Sequence, residues 1–565
     1  MSESAAFHLH PALILLLGAF LLPWLRGQAR SMAIVALPLL ALGALWMLPE
    51  GVLWQAQWLG MELTPLRVDK LSRLFATIFT LMAAVGGIFA LRQPSRLEVP
   101  AAFVYAASAV GVTLAGDLVS LFVCWEVMAI GSTLVLWSAG TPSAWSASRR
   151  YLMVHLFGGV VLFAGVTAYV LQTGQTEFVR MSPDSIAHWL ILAGFLINAG
   201  APPFSAWLSD AYPEASWSGT VFLSAFTTKT AVYVLLRGFP GSEILIWIGL
   251  FMVFYGIVYA LLENDMRRIL AYSIVNQVGF MIAGIGIGSE MALNGAAAHA
   301  FCHIIYKGLL LMSAGVVLEA TGKRKCSELG GLFHSMPLTT ICGSIGALAI
   351  SSFPLTSGFI SKSMVSQAAG DAHLLWVWLA LTAASAGVFL HAGIKFPWFV
   401  FFQKDSGLRP ADPQGGMRWA MLIFAALCIL IGVWPEPLYS LLPYATDYQA
   451  YTGAHVIAQL QLLLFSGLAF FVMLPWLKRT PTISLDFDWF YRVAAPWLIK
   501  GWARILDGLM SSAGWLGKAG GQRLLYWAAI HVRPGGLFRR TWPTGSMAFW
   551  AMVMLLAYLG VYYLG

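Results

Sequence analysis

Stretches of about 20 apolar residues recur from one end of the chain to the other, and no other feature restricts the fold so severely. Only 10% of the 565 residues are charged, while 59% belong to the apolar set. A soluble domain spends about a quarter of its residues on charge, so a water-exposed surface is excluded. In hydrocarbon every backbone N–H and C=O must be satisfied within the chain, which leaves helices or closed barrels, and runs of this length select helices. The fold class expected is therefore all-α, a polytopic membrane protein.

Gly, Pro and charge punctuation divides the apolar runs into about sixteen membrane helices. They are placed near 11–25, 31–48, 71–91, 99–115, 117–138, 150–172, 186–207, 219–237, 244–262, 268–288, 296–318, 337–370, 372–402, 417–434, 453–476 and 546–564. Between the second and third, Val52 to Pro65 alternates apolar and polar residues around a glycine. It is too short to span and predicts a β-hairpin outside the bilayer. The N-terminal MSESAAFHLHP lacks the basic region of a cleaved signal peptide, so the first apolar run is expected to remain a helix.

The formal charge of +8 comes from 33 Lys and Arg against 25 Asp and Glu. In a membrane protein such an excess marks cytoplasmic loops rather than nucleic-acid binding. Twenty-four of the 33 basic residues fall in one set of alternate loops and only Arg67, Lys70, Arg73, Arg180 and Arg237 in the other. That asymmetry places both termini on the periplasmic side of a bacterial plasma membrane. Lys229, Lys307, Lys362 and Lys395 remain, all inside expected helices. The cysteines at 124, 302, 326, 342 and 428 form no C-x-x-C pair, so no iron–sulfur, zinc or disulfide framework, and no cofactor, is expected.

Two helices carry internal breaks. Pro202-Pro203 interrupts LINAGAPPFSAWLSDAYPEA, and Pro354 with Gly358 interrupts SSFPLTSGFISKSM. Unwound backbone at membrane depth survives only against protein or a water-filled cavity, and paired breaks in two halves of a chain mark an ion or substrate path. From 486 to 535 the character changes. Phe490, Val493, Trp497, Leu498, Trp502, Ile505 and Leu509 keep helical spacing among charged residues. This predicts an interfacial amphipathic segment broken near Gly517 to Gly521, a tether rather than a chemical element.

The charges inside the helices are the candidates for chemistry. Glu126 lies nine residues into its helix, about 13 Å deep. A carboxylate there must pair, meet water or take up a proton. Lys229 is equally central, beyond the reach of snorkelling. His299, His303 and Lys307 recur at i, i+4 and i+8 and so share one helix face. His-x-x-x-His can hold zinc, but no third ligand is near and Lys307 would repel the metal, so a protonatable wire fits better. Lys362 follows the second break, where water could enter. Lys395, with His391 one turn before it, ranks lower because its side chain can snorkel toward the loop at Lys404. His155 and Asp117 read as structural.

Together FVCWEVM, WLSDAYPEA, TTKTAVYVLLR, NDMRRILAYSIVNQVGFM, HAFCHIIYKGLLLMSAG and FPLTSGFISKSM resemble the antiporter-like membrane subunits of Mrp cation/proton antiporters, respiratory complex I and membrane hydrogenases. DMRRILAYSIVNQVGFM and GKRKCSELGGLF are most similar to the D-type component of Mrp antiporters. The resemblance covers roughly residues 60 to 434. It implies a fourteen-helix core with two inverted five-helix repeats, 99–237 and 244–402, each with a broken helix. Around these lie N-terminal helices with the hairpin (1–98), C-terminal core helices (403–476), the amphipathic segment (486–535) and a last helix (546–564). It also implies a proton relay through Glu126, Lys229, His299, His303, Lys307 and Lys362. In one respect the chain departs from the pattern. Where the family places a lysine five residues before the proline of the first break, this chain has Asn198. Lys229 as substitute partner of Glu126, a longer-lived protonated Glu126, and a silent half-channel are the alternatives.

The function implied is that of a proton-translocating subunit in a hetero-oligomeric Mrp-type antiporter, exchanging a monovalent cation, Na⁺, for protons. A proton-pumping module of a redox complex and an energy-coupling component for uptake of a solute such as inorganic carbon are the alternatives. The partners expected are other membrane subunits, protons, the cation and lipid, not nucleic acid. An enzyme in its own right is not expected.

Overall fold

The computed structural model describes residues 8–476, 486–513, 525–531 and 544–564. It contains two compact units, Met1–Asp488 and Trp489–Gly565. The first opens with α1 (Pro11–Leu21) and α2 (Gly27–Met47), followed by strands β1 (Gly51–Trp58) and β2 (Met61–Val68). The expected hairpin is present, with Trp58 paired to Met61. Its two-residue turn holds Leu59 and Gly60 at φ of 50° and 75°, the left-handed pair that matches strand twist. Next come α3 (Lys70–Phe89), α4 (Glu98–Leu114), α5 (Leu118–Trp137) and α6 (Pro142–Thr173). Asp69 and Ser72 cap α3 reciprocally, and Asp117 caps α5. The helix α6 begins eight residues before the expected start because Thr141 accepts from the Ala144 N–H and Pro142 occupies the first turn.

The chain then runs through α7 (Ile186–Ala199), α8 (Ala206–Ala211), α9 (Gly219–Leu223), α10 (Thr227–Gly238), α11 (Ile244–Leu262), α12 (Met266–Ile287) and α13 (Glu290–Thr321). Where the sequence predicts breaks in two helices, three are found among the described residues. The helix α7 stops at Gly200, held at φ 78°, just ahead of Pro202-Pro203. After α13 follow α14 (Pro337–Ile350) and α15 (Ser357–Asp371), separated by a stretch in which Ser352 and Leu355 adopt φ of 59° and 69°. The third break, Ser224–Phe226 between α9 and α10, contains neither proline nor glycine.

Beyond α16 (Leu375–Val388) the helix continues as two π-helical stretches, Phe389–Lys395 and Trp398–Phe402, on either side of Pro397. The unit closes with α17 (Gly416–Val433), the short α18 (Glu436–Tyr439) and α19 (Gly453–Met473).

Twelve described helices are long and apolar enough to cross a membrane, and four shorter apolar ones accompany them: α1, α4, α7 and α14. The chain is a polytopic all-α membrane protein. Its centre is α10, α12 and α13, whose apolar windows are wholly or almost wholly enclosed, whereas α2 and α19 are largely uncovered. The helices α11 and α12 approach until a Cβ at Gly249 would lie 2.6 Å from the Gly279 carbonyl, the contact of small residues that packs helices in lipid. Arginines are paired at both ends. Arg237 meets Asp69 at 2.7 Å at the hairpin end, and Arg150 meets Asp210 at 2.6 Å among the basic loops.

The second unit contains a π-helical turn, Phe490–Ala494, then α20 (Ala495–Ala513), a helical stretch at 525–531 and α21 (Thr544–Leu564). Phe490, Trp497, Leu498 and Trp502 are all exposed. The expected break near Gly517 to Gly521 lies outside the described residues.

Candidate functional site: a buried line of lysines and histidines

The break between α9 and α10 decides the surroundings of Lys229. It frees the Ser224 carbonyl from the helix ladder, and the Lys229 ammonium donates to that oxygen at 2.6 Å and to Thr228 Oγ1 at 3.0 Å. Both acceptors are neutral, so the fully buried cation has no counter-ion among the described residues. Lys362 repeats the arrangement at the other break. Its Nζ donates at 2.9 Å to the carbonyl of Ile350, the last residue of α14, and stands 5.2 Å from the Phe280 ring centre. In both places a helix interruption supplies the carbonyl that receives a lysine.

Between them runs one face of α13. His299 Nε2 lies 3.1 Å from Gln277 Oε1 and its Nδ1 lies 3.1 Å from the Oγ of Ser361, the residue before Lys362. Tyr306 donates to the same Gln277 oxygen at 3.2 Å. A neutral ring with its proton on Nε2 fits this set, and since a serine hydroxyl either donates or accepts, the charged ring fits too. His303, one turn on, is fully buried with both ring nitrogens lacking a hydrogen-bond partner. Its ring centre is 6.3 Å from that of His299 and 5.2 Å from that of Tyr306. Lys229, Lys307, His299 and Lys362 all act electrostatically on it. Lys307 donates to Ser273 Oγ at 2.8 Å. An unpartnered buried imidazole costs about 1–3 kcal/mol, so a group retained in that condition calls for a reason, and a catalytic role is one.

His391 and Lys395 extend the line, both on the π-helical stretch. His391 Nδ1 lies 2.9 Å from the Gly387 carbonyl, its Nε2 is unpartnered, and the ring is within electrostatic range of Lys307, Lys362 and Lys395. Lys395 does not snorkel. It donates to the Ala260, Leu261 and Glu263 carbonyls at 3.0, 2.7 and 2.5 Å, closing the C-terminus of α11.

The remaining candidates stand apart. Glu126 makes no ion pair among the described residues, and its Oε1 is buried without a partner. The side chain occupies the space beside Gly159, where a Cβ would come within 2.1 Å of Oε1. Lys229, held by Ser224 and Thr228, is not its partner here. Asn198 accepts at Oδ1 from His155 Nδ1 at 2.9 Å, and the ring packs against Tyr151 and Trp207 with Nε2 unpartnered. A second polar pair therefore occupies the first break, where the expected lysine is missing. Asp117 receives the Ser120 and Thr64 N–H groups, both at 2.7 Å, as a helix cap.

Sequence reading passes over Gln277, Tyr306, Ser361 and Ser273, which tie the line together. Their signal is present as polar positions inside otherwise apolar helices, but single serines and amides are frequent there. Among the described residues no group of three or more His, Cys, Asp or Glu side chains is placed to hold a metal ion.

Residues 115–388, which contain both breaks expected from the sequence and most of this line, match the family described as NADH:quinone oxidoreductase/Mrp antiporter, transmembrane. A probable K(+)/H(+) antiporter component of Rhizobium meliloti, the A/B polypeptide, is 29% identical over 408 residues, 67% of this chain and 41% of the relative. The chain thus spans less than half the length of that protein. The D component of the Na(+)/H(+) antiporter of Alkalihalophilus pseudofirmus is 26% identical over 411 residues, 67% of this chain and 83% of the relative. Among solved structures, a chain of the Mrp complex from Dietzia sp. DQ12-45-1b shares the fold, with a TM-score of 0.68 at 21% identity, covering 83% of this chain and 99% of that one.

Proposed function

Because the chain belongs to the antiporter-like family of membrane subunits, we propose that it translocates protons within a multisubunit Mrp-type antiporter that exchanges a monovalent cation, Na⁺, for protons. The observation that carries this reading is the enclosed line Lys229, His303, His299, Lys307 and Lys362, with neutral hydrogen-bond partners throughout and an unpartnered imidazole at its centre. A proton arriving at His303 changes the charge seen by three lysines, and so passes in steps between groups already close enough to interact. Glu126 would act apart from the line, and the Asn198–His155 pair would stand in place of the missing lysine. The Na(+)/H(+) description of the Alkalihalophilus relative supports the choice of cation. The division proposed is that of two repeats, 99–237 and 244–402, each containing one of the breaks expected from the sequence. The positive-inside asymmetry supports a bacterial plasma-membrane location with both termini periplasmic.

The family description also includes NADH:quinone oxidoreductase, which supports a second reading, that of a proton-pumping component in a redox complex. Purification with iron–sulfur or flavin subunits would favour it over the antiporter.

Everted vesicles carrying the chain with its operon partners test the first reading. Wild type is expected to show Na⁺-dependent proton movement and Lys229→Ala to reduce it at least tenfold. Undiminished movement in the variant would remove Lys229 from the path.

A further inference from the structure

Glu98, the first residue of α4, is completely buried and belongs to no part of the line described above. Four neutral donors surround its carboxylate. Ser216 and Ser138 donate to Oε2 at 2.6 and 3.0 Å, Gln93 Nε2 donates to Oε1 at 3.1 Å, and Ser218 donates to Oε1 as well. No cation comes within ion-pair distance among the described residues. Arg267 lies within electrostatic range, but its two terminal nitrogens are spent on the Pro213, Ala215 and Ser216 carbonyls at 2.7 to 2.8 Å and on Thr220 Oγ1, and its Nε has no partner among the described residues. A cage of hydroxyls suits a carboxyl that changes state, because serine donates to the carboxylate and accepts from the acid without moving. A permanent carboxylate, by contrast, is ordinarily buried with a cation.

Two further features fix its place. A cavity of about 490 Å³ lies at the basic-loop end, lined by Arg92, Pro94, Trp217, Glu319 and Asp412 among others. Pro94 and Trp217 are the chain neighbours of Gln93, Ser216 and Ser218, so the cage backs onto this cavity. On the inner side, Ser218 begins the stretch leading through α9 to Ser224, the acceptor of Lys229. Six residues at helical rise separate the two by about 9 Å. On that stretch Thr220 Oγ1 donates to the Tyr212 carbonyl, and beyond its far end Tyr105, Thr227 and Thr228 carry hydroxyls, Tyr105 meeting Thr227 Oγ1 at 2.5 Å and Thr228 accepting from Lys229.

We propose that Glu98 is the proton-loading group on the path to Lys229. Its carboxylate takes one proton from water in the cavity and becomes the acid. The acid then returns to carboxylate as the Lys229 amine becomes ammonium, one proton having moved inward. The charged groups nearby are Arg92, Glu319 and Asp412, which line the cavity, and Arg267, which is within electrostatic range of the cage. The proposal rests on the proton-translocating reading, and wild-type proton movement in the same vesicles tests that reading separately.

The test combines flux with infrared spectroscopy of the purified complex. Wild type is expected to show a carboxylic-acid carbonyl band that grows as pH falls. Glu98→Gln should lose that band and reduce proton movement at least tenfold while the complex stays assembled. Ser216→Ala with Ser218→Ala keeps the carboxyl but removes two donors to its charged form, so the band should appear at higher pH. A band unchanged in Glu98→Gln, a titration unmoved in the serine variant, or full flux in Glu98→Gln would each overturn the proposal. Absence of proton movement in wild type would overturn the underlying reading and the loading role with it.

Discussion

The Glu126 carboxylate sits where it does because residue 159 has no side chain. A Cβ there would stand 2.1 Å from Oε1, and the obstacle is the tip of a flexible side chain, not backbone. Gly159→Ala should therefore cost only about 1 kcal/mol of stability, a rotamer change, while moving the carboxylate. Near-native thermal unfolding with proton movement reduced severalfold is the expected pair of results, and unchanged flux would show that the position of Glu126 is immaterial. Lys395 calls for the opposite result. Its three carbonyl contacts hold the end of α11, so Lys395→Met should lower unfolding free energy by about 1–3 kcal/mol, read as a fall in Tm. At this scale the sequence is informative wherever a charge stands in an apolar run, since each buried lysine and histidine is visible by its cost. Where each one points is not legible, because that depends on carbonyls freed by breaks elsewhere in the chain.

The breaks themselves differ in legibility for a physical reason. Proline and glycine announce the interruptions after Ala199 and Ile350, since both residues alter backbone hydrogen bonding directly. The interruption at Ser224–Phe226 is held instead by tertiary contacts. Tyr105 accepts the Thr227 N–H at 2.9 Å and Lys229 takes the Ser224 carbonyl, partners that lie in another helix or a turn away. The π-helical stretch after Val388 is equally silent, reading as ordinary helix in composition. At the second break, Gly358 is indispensable, because a Cβ there would lie 1.8 Å from the Ala349 carbonyl oxygen. That obstacle is backbone, so Gly358→Ala must displace the end of α14 and with it the Ile350 carbonyl that receives Lys362. Destabilisation of about 1–3 kcal/mol with loss of proton movement is expected. The contrast with Gly159→Ala, measured by thermal unfolding in the same detergent, separates a backbone clash from a side-chain one.

At the scale of the whole first unit, the chain returns at Asp486 to close the region joining its two halves. The buried Asp486 carboxylate accepts from Tyr272 at 2.7 Å, from Ser209 at 3.4 Å and from Tyr255, and also from the Phe487 N–H at 2.6 Å. Its partners belong to α8, α11 and α12, so one side chain near the end of the unit ties the first broken helix to the helices that follow. Composition gives no hint of this, because aspartate at the start of an amphipathic segment ordinarily faces water. Asp486→Ala leaves two buried tyrosine hydroxyls without this acceptor, at about 1–3 kcal/mol each. Asp486→Asn keeps one carbonyl oxygen and should lose roughly half as much. The same residue predicts how shortened chains behave. A chain ending at Asp488 keeps these contacts and should unfold at a higher temperature than one ending at Trp476. Introducing Asp486→Ala into the longer chain should remove most of that difference. If the two chains unfold together, the anchor contributes nothing, and the tie between α8 and α12 must come from Arg268, whose Nε donates to the Ser209 carbonyl at 3.2 Å.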